Sequence, residues 1–90
     1  MPKIPVTVYT KSNCPQCTMT KKKFDQLGII YQEVNLEENP ALVAKFKEQG
    51  LMAAPIVTTD TKAWSGFKLG KIESLAHYLF SAERGEKTNG

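Results

Sequence analysis

Ninety residues with 41% apolar and 23% charged content suffice for one small domain around a single core, and leave no room for a second. No apolar run approaches the ~20 residues of a membrane-spanning helix, and Met1-Pro2-Lys3-Ile4-Pro5 passes into a strand pattern without an apolar leader. This predicts a cytoplasmic protein that does not engage a membrane. The net charge of +3 is too modest, and the lysines too free of interleaved aromatic residues, to predict nucleic-acid binding. The charge is unevenly placed: residues 1–30 carry five lysines against Asp25, and residues 31–60 carry five acids against Lys45 and Lys47.

Lys3 to Tyr9 reads as a first strand, rich in β-branched residues and with Pro5 near its start. Thr10 to Asn13 make a turn. A helix is predicted from Pro15 to Leu27, closed by Gly28, with Cys17, Thr20, Phe24 and Leu27 on its inner face and most of Lys21-Lys22-Lys23 on the other side. Ile29 to Leu36 reads as a second strand, parallel to the first because a helix intervenes. Asn39 and Pro40 open a second helix as cap and first helical residue, Leu42, Val43 and Phe46 form its stripe, and Gly50 ends it. Pro55 to Thr59 and Lys62 to Ser65 form an antiparallel pair around Asp60-Thr61. Ile72, Leu75, Ala76 and Leu79 then mark a last helix over 69–82. Tyr9 and Tyr78 are expected in the core and His77 on the surface.

The order β-α-β-α-β-β-α predicts an α/β domain: a four-stranded mixed sheet flanked by three helices on both faces. The domain is expected over 1–83, with a polar tail over 84–90.

Both cysteines lie in Ser12-Asn13-Cys14-Pro15-Gln16-Cys17, at the junction of the first strand and first helix. Three residues apart, they fall on one helical face, within about 5–6 Å at Cβ and so near the reach of a disulfide. The helix N-terminus offers Cys14 unpaired N–H groups and the positive end of the dipole, which stabilise a thiolate. Lys11 adds positive potential. A cross-link over two intervening residues stabilises little, so a purely structural disulfide is the weaker reading. Metal binding is the serious rival, since metallochaperones also place Cys-x-x-Cys at such a turn. Against it stand the helix after Asn39, which breaks the usual metallochaperone order, and the single histidine, His77. No metal site is predicted.

Cys14-Pro15-Gln16-Cys17 after the first strand, with Ala54-Pro55 opening the third, resembles the thioredoxin/glutaredoxin fold. Trp64-Ser65-Gly66-Phe67 before the last helix, Val8-Tyr9-Thr10-Lys11 and Met52-Ala53-Ala54-Pro55 are similar to the corresponding stretches of NrdH-redoxins, over residues 4 to 80. That resemblance implies a dithiol–disulfide oxidoreductase that binds no cofactor. It would be reduced by thioredoxin reductase, with NADPH used indirectly, and would pass electrons to the large subunit of class Ib ribonucleotide reductase; a monomer is the default expectation for a small carrier that meets two partners in turn. The resemblance implies that Cys14 attacks and Cys17 resolves, through a reversible Cys14–Cys17 disulfide. Pro55 would be a cis proline facing the dithiol, with the Ala54 backbone open to a docking partner. Lys11, Asn13, Pro15, Gln16, Met52, Ala54, Pro55, Trp64, Ser65, Gly66 and Phe67 are the expected partner-binding residues. Met52 is read first as a packing residue, with a place in the docking groove as the alternative, and for Trp64 and Phe67 the alternative is covering the sheet edge.

The chain departs from the family at one position of the motif. Pro15 stands where many members have valine. A glutathione-dependent glutaredoxin, the alternative within the superfamily, carries Gly-Gly and an acidic residue near the last helix. Here that region reads Gly66-Phe67-Lys68-Leu69-Gly70-Lys71, without the acid.

Overall fold

A computed structural model describes the backbone over residues 5–84 and the side chains over residues 5–80. The strands are β1 (Thr7–Thr10), β2 (Gln32–Asn35), β3 (Ile56–Thr58) and β4 (Ala63–Ser65). The α-helices are α1 (Pro15–Leu27), α2 (Pro40–Glu48) and α3 (Leu69–Arg84), and a 3-10 turn covers Leu36–Glu38. The sheet order is β2-β1-β3-β4. β1 and β2 run parallel across α1, and β1–β3 and β3–β4 are antiparallel. The predicted four-stranded mixed sheet with three helices is the one observed.

Strand alternation assigns the two faces. Val6, Val8, Val57 and Trp64 pack with Phe24 of α1 and with Ile72, Leu75 and Ala76 of α3. The intervening residues Tyr9 and Ile56 turn to the other face and meet Leu42, Val43 and Phe46 of α2. Side chains one step apart along a strand point oppositely, so β1 and β3 each serve two cores. Tyr9 meets Phe46 edge to face at 4.9 Å between centroids. α1 and α3 thus cover one face and α2 the other.

Helix α1 follows its expected course. Pro15 occupies the first turn, Cys17, Thr20 and Phe24 are buried, and Gly28 closes the helix in the left-handed region at φ 74°. Its amide donates to the carbonyl oxygens of Asp25 and Phe24, taking up acceptors that the helix end leaves free.

Five details differ from the sequence reading. β2 begins at Gln32 rather than Ile29, because Ile29 turns into the main core and Ile30 is 89% exposed. Leu36 is not the end of β2 but the start of the 3-10 turn, whose first amides are met by Asn35: its Oδ1 accepts from the Glu37 amide at 2.7 Å. Asn39 holds the cap position of α2, yet its side-chain Nδ2 donates to the Asn35 carbonyl at 2.9 Å and its side chain accepts from no helical N–H. Tyr78, expected in the core, is 44% exposed, and its hydroxyl donates to Asp60 at 3.3 Å. His77 is exposed, as expected. Helix α3 runs through Arg84, beyond the expected boundary at residue 82, so Arg84 belongs to the helix and not to a tail. The rest of the expected tail, 85–90, and Lys3-Ile4 of the expected first strand lie outside the described residues. No helix among the described residues is long and apolar enough to cross a membrane.

Candidate redox site at the start of the first helix

β1 delivers the chain to its carboxyl end at Thr10, where ligands of open α/β sheets are commonly met. The turn from Lys11 to Asn13 leads into α1. Asn13 takes a positive φ of 55°, which asparagine tolerates better than most residues. Glu37 anchors the turn from the 3-10 segment: its Oε1 accepts from the Ser12 hydroxyl at 2.8 Å and its Oε2 from the Ser12 amide at 3.3 Å.

Cys14 is the N-cap of α1, in extended conformation at φ −120°, and Pro15 follows at the first helical position. Cys14 and Cys17 form a disulfide across a Cα–Cα distance of 5.2 Å. The Cys17 amide donates to Cys14 Sγ at 3.1 Å, so the sulfur occupies the place a capping oxygen would take. When the bond is reduced, the same amide and the positive helix end favour the ionised form of Cys14. The two sulfurs are unequal in access. Cys14 is half-buried and Cys17 only 3% exposed, on the helix face turned to the core. An incoming disulfide reaches Cys14 alone, and Cys17 sits where it can act only on Cys14.

A depression of about 450 Å³ opens at the dithiol. Lys11, Asn13, Cys14, Pro15 and Cys17 line it together with four residues the sequence reading passed over: Thr10, Thr18, Lys21 and Glu33. Glu33 Oε2 accepts from the buried Thr10 hydroxyl at 2.9 Å and from Lys21 Nζ at 3.0 Å. These bonds, that from Lys21 foremost, hold the Glu33 carboxyl below its ordinary range. Only the helical spacing of Lys21 from Cys17 was legible in the sequence; the rest of this group needs the sheet register. Lys21 is four residues after Cys17 on one helix, and the parallel register sets Val8 opposite Glu33. Glu33 therefore shares the α1 side of the sheet with Val8 and Thr10.

The Ala54–Pro55 bond is cis, as the resemblance implied, and Pro55 is buried. The Pro55 carbonyl accepts from the Gly66 amide at 2.7 Å, tying this segment to the end of β4. Gly66 has φ 82°, a region only glycine enters freely. The following amide, of Phe67, donates to Gln16 Oε1 at 2.9 Å. Thus Gln16, between the cysteines, is joined to the Trp64-Ser65-Gly66-Phe67 segment.

Among the expected partner-binding residues, Lys11, Asn13, Pro15 and Gln16 are exposed, and Ala54, Ser65, Gly66 and Phe67 are half-exposed. Met52 is 72% exposed, which overturns a packing role and leaves it available for contact. Trp64 departs from expectation: its indole is 4% exposed within the main core, so the side chain supports the segment from beneath and cannot itself face a partner. Among the described residues, no group of three or more His, Cys, Asp and Glu is placed to hold a metal ion.

Comparison with known proteins agrees with this geometry. The glutaredoxin family model matches residues 6–64. The glutaredoxin-like protein NrdH of Lactococcus lactis subsp. cremoris is 45% identical over 71 residues, covering 79% of this chain and 99% of that protein. Its counterpart in Salmonella typhimurium is 33% identical over 70 residues, covering 78% of this chain and 86% of that protein. The solved structure of NrdH-redoxin from Escherichia coli, described as glutaredoxin-like with a thioredoxin-like activity profile, superposes with a TM-score of 0.76 at 30% identity. That superposition covers 79% of this chain and 93% of the other.

Proposed function

The chain belongs to the NrdH-redoxin branch of the glutaredoxin family and is a disulfide oxidoreductase; from that premise we propose that it carries electrons from thioredoxin reductase to class Ib ribonucleotide reductase. The observation that carries the chemistry is the unequal access of its two sulfurs, with Cys14 at the surface and Cys17 buried behind it.

The cycle has two exchanges. The Cys14 thiolate attacks one sulfur of the target disulfide. The target S–S bond breaks, a mixed disulfide forms, and the other target sulfur leaves as a thiolate. Cys17 then loses its proton and attacks Cys14 Sγ. The mixed disulfide breaks and the second target sulfur leaves. Two electrons have passed to the target, whose thiolates take up two protons, and the Cys14–Cys17 disulfide remains. Thioredoxin reductase, drawing on NADPH, returns the pair to the dithiol. The protein itself binds no cofactor in this scheme and works as a monomer in the cytoplasm.

Lys11, Asn13, Pro15, Gln16 and Met52 form the contact surface around Cys14, the half-exposed Phe67 extends it, and the Ala54 backbone pairs with the partner chain. Supporting thioredoxin reductase over glutathione as electron donor are the thioredoxin-like activity profile of the E. coli relative and the absence of an acid in Gly66–Lys71.

The test is reconstitution. Thioredoxin reductase, NADPH, this protein and a class Ib ribonucleotide reductase should form deoxyribonucleotide continuously, and should stop after the enzyme's stored reducing equivalents when Cys14→Ser replaces the wild type. Continuous turnover with Cys14→Ser would reject the proposal.

A further inference from the structure

Among the described residues, Glu33 is the one carboxylate lining the dithiol depression, which it shares with two lysines, Lys11 and Lys21. It is fixed on two sides. The Thr10 hydroxyl, 5% exposed at the end of β1, holds Glu33 Oε2 to the sheet, and Lys21 reaches the same oxygen from α1. Lys21 is one turn beyond Cys17 and borders the same depression. Its ammonium is therefore held at the border of the depression by a carboxylate of β2, and not left free in solvent.

We propose that Lys21 and Glu33 are a positioning pair for thiol exchange: Lys21 favours the Cys14 thiolate, and Glu33 fixes that lysine while offsetting part of its charge. A fixed opposite charge lowers a thiol's proton affinity and a like charge raises it, so the two side chains act on Cys14 in opposite senses. The balance matters in both directions. A thiol with too high a pKa is rarely ionised, and one with too low a pKa is a weaker nucleophile and a better leaving group.

Lys11, in the β1–α1 turn, lines the same depression; beyond it, Glu37 holds Ser12 from the 3-10 segment, and Lys68 follows Phe67, whose amide is bonded to Gln16. The positive end of α1 adds to them. None of these is changed when Lys21 or Glu33 is substituted, so the pair's share can be read separately.

The test is the pH dependence of iodoacetamide alkylation of Cys14 in the reduced full-length protein, which requires no partner protein and so stands apart from the identity of the electron donor. Glu33→Gln should lower the Cys14 midpoint by about half a pH unit and Lys21→Met should raise it by a similar amount, as expected of single, partly solvent-screened charges lining the same depression. At any pH where the thiol is still mostly protonated, half a pH unit is roughly a threefold gain or loss in thiolate. Lys21→Arg should keep the wild-type midpoint, and 0.5 M salt should shrink both shifts. Both side chains are partly exposed, so the fold does not hang on either. Shifts of the same sign in Glu33→Gln and Lys21→Met would mark a general loosening of the site and overturn the proposal. No shift in either variant would overturn it as well.

Discussion

Gln16 Oε1 accepts the Phe67 amide at 2.9 Å, joining the residue between the two cysteines to a segment 51 positions later in the chain. Gly66, at φ 82°, turns that amide toward α1. Gln16→Ala removes the acceptor at an exposed site where water replaces it, so the expected loss of stability is about 0.5–1.5 kcal/mol in urea unfolding of the oxidised protein. A loss above ~3 kcal/mol would mean that the contact is part of the core.

Thr20 is fully buried on the inner face of α1, one turn beyond Cys17, and its hydroxyl has no hydrogen-bond partner among the described residues. Valine has the same shape without the buried polar group. Thr20→Val is therefore expected to be neutral or to stabilise by about 1 kcal/mol, measured by thermal or urea unfolding. Destabilisation beyond that size would show that the hydroxyl is satisfied in solution.

Acid stability follows from Glu33. Its folded-state proton affinity is depressed, first by Lys21 and then by the Thr10 hydroxyl. Its contribution is then fully present above the unfolded carboxyl range near 4.5 and is lost as pH falls through the lower folded value. Unfolding free energy should fall more steeply between pH 6 and pH 3 in the wild type than in Glu33→Gln. The carboxylate is 42% exposed, so the difference should stay below about 1 kcal/mol. Parallel pH profiles would remove Glu33 from the acid response.

Cys17→Ser removes the resolving sulfur and leaves Cys14 at the head of α1. Incubated with a disulfide-bonded protein target, this variant should accumulate a mixed disulfide at Cys14, visible by non-reducing electrophoresis and peptide mass spectrometry. Turnover equal to the wild type would contradict the two-cysteine scheme.

Much of the fold was legible because it rests on short-range rules. Pro15 and Gly28 bound α1 by their fixed or permissive φ, and the apolar period of Ile72, Leu75, Ala76 and Leu79 found α3. The Cys14–Cys17 site was legible for the same reason, because strand, turn and helix are consecutive in the chain. What escaped depends on pairing between distant segments. The Thr10–Glu33–Lys21 contacts need the parallel register of β1 and β2, and the Gln16–Phe67 bond needs the segment after β4 to return beside α1's first turn. Trp64 was misplaced because a motif marks a segment as functional without saying which side chain faces outward. Alternation along β4 turns the indole inward, where its apolar area is best buried. The cis state of Ala54–Pro55 came from family resemblance, since no local rule selects it.

The most direct test of the account is NADPH consumption by the oxidised protein, measured once with thioredoxin reductase and once with glutathione plus glutathione reductase. The account predicts rapid turnover with thioredoxin reductase and none above background with glutathione. Turnover with glutathione and none with thioredoxin reductase would contradict it, and would assign the Cys14–Cys17 pair to a glutathione-dependent glutaredoxin.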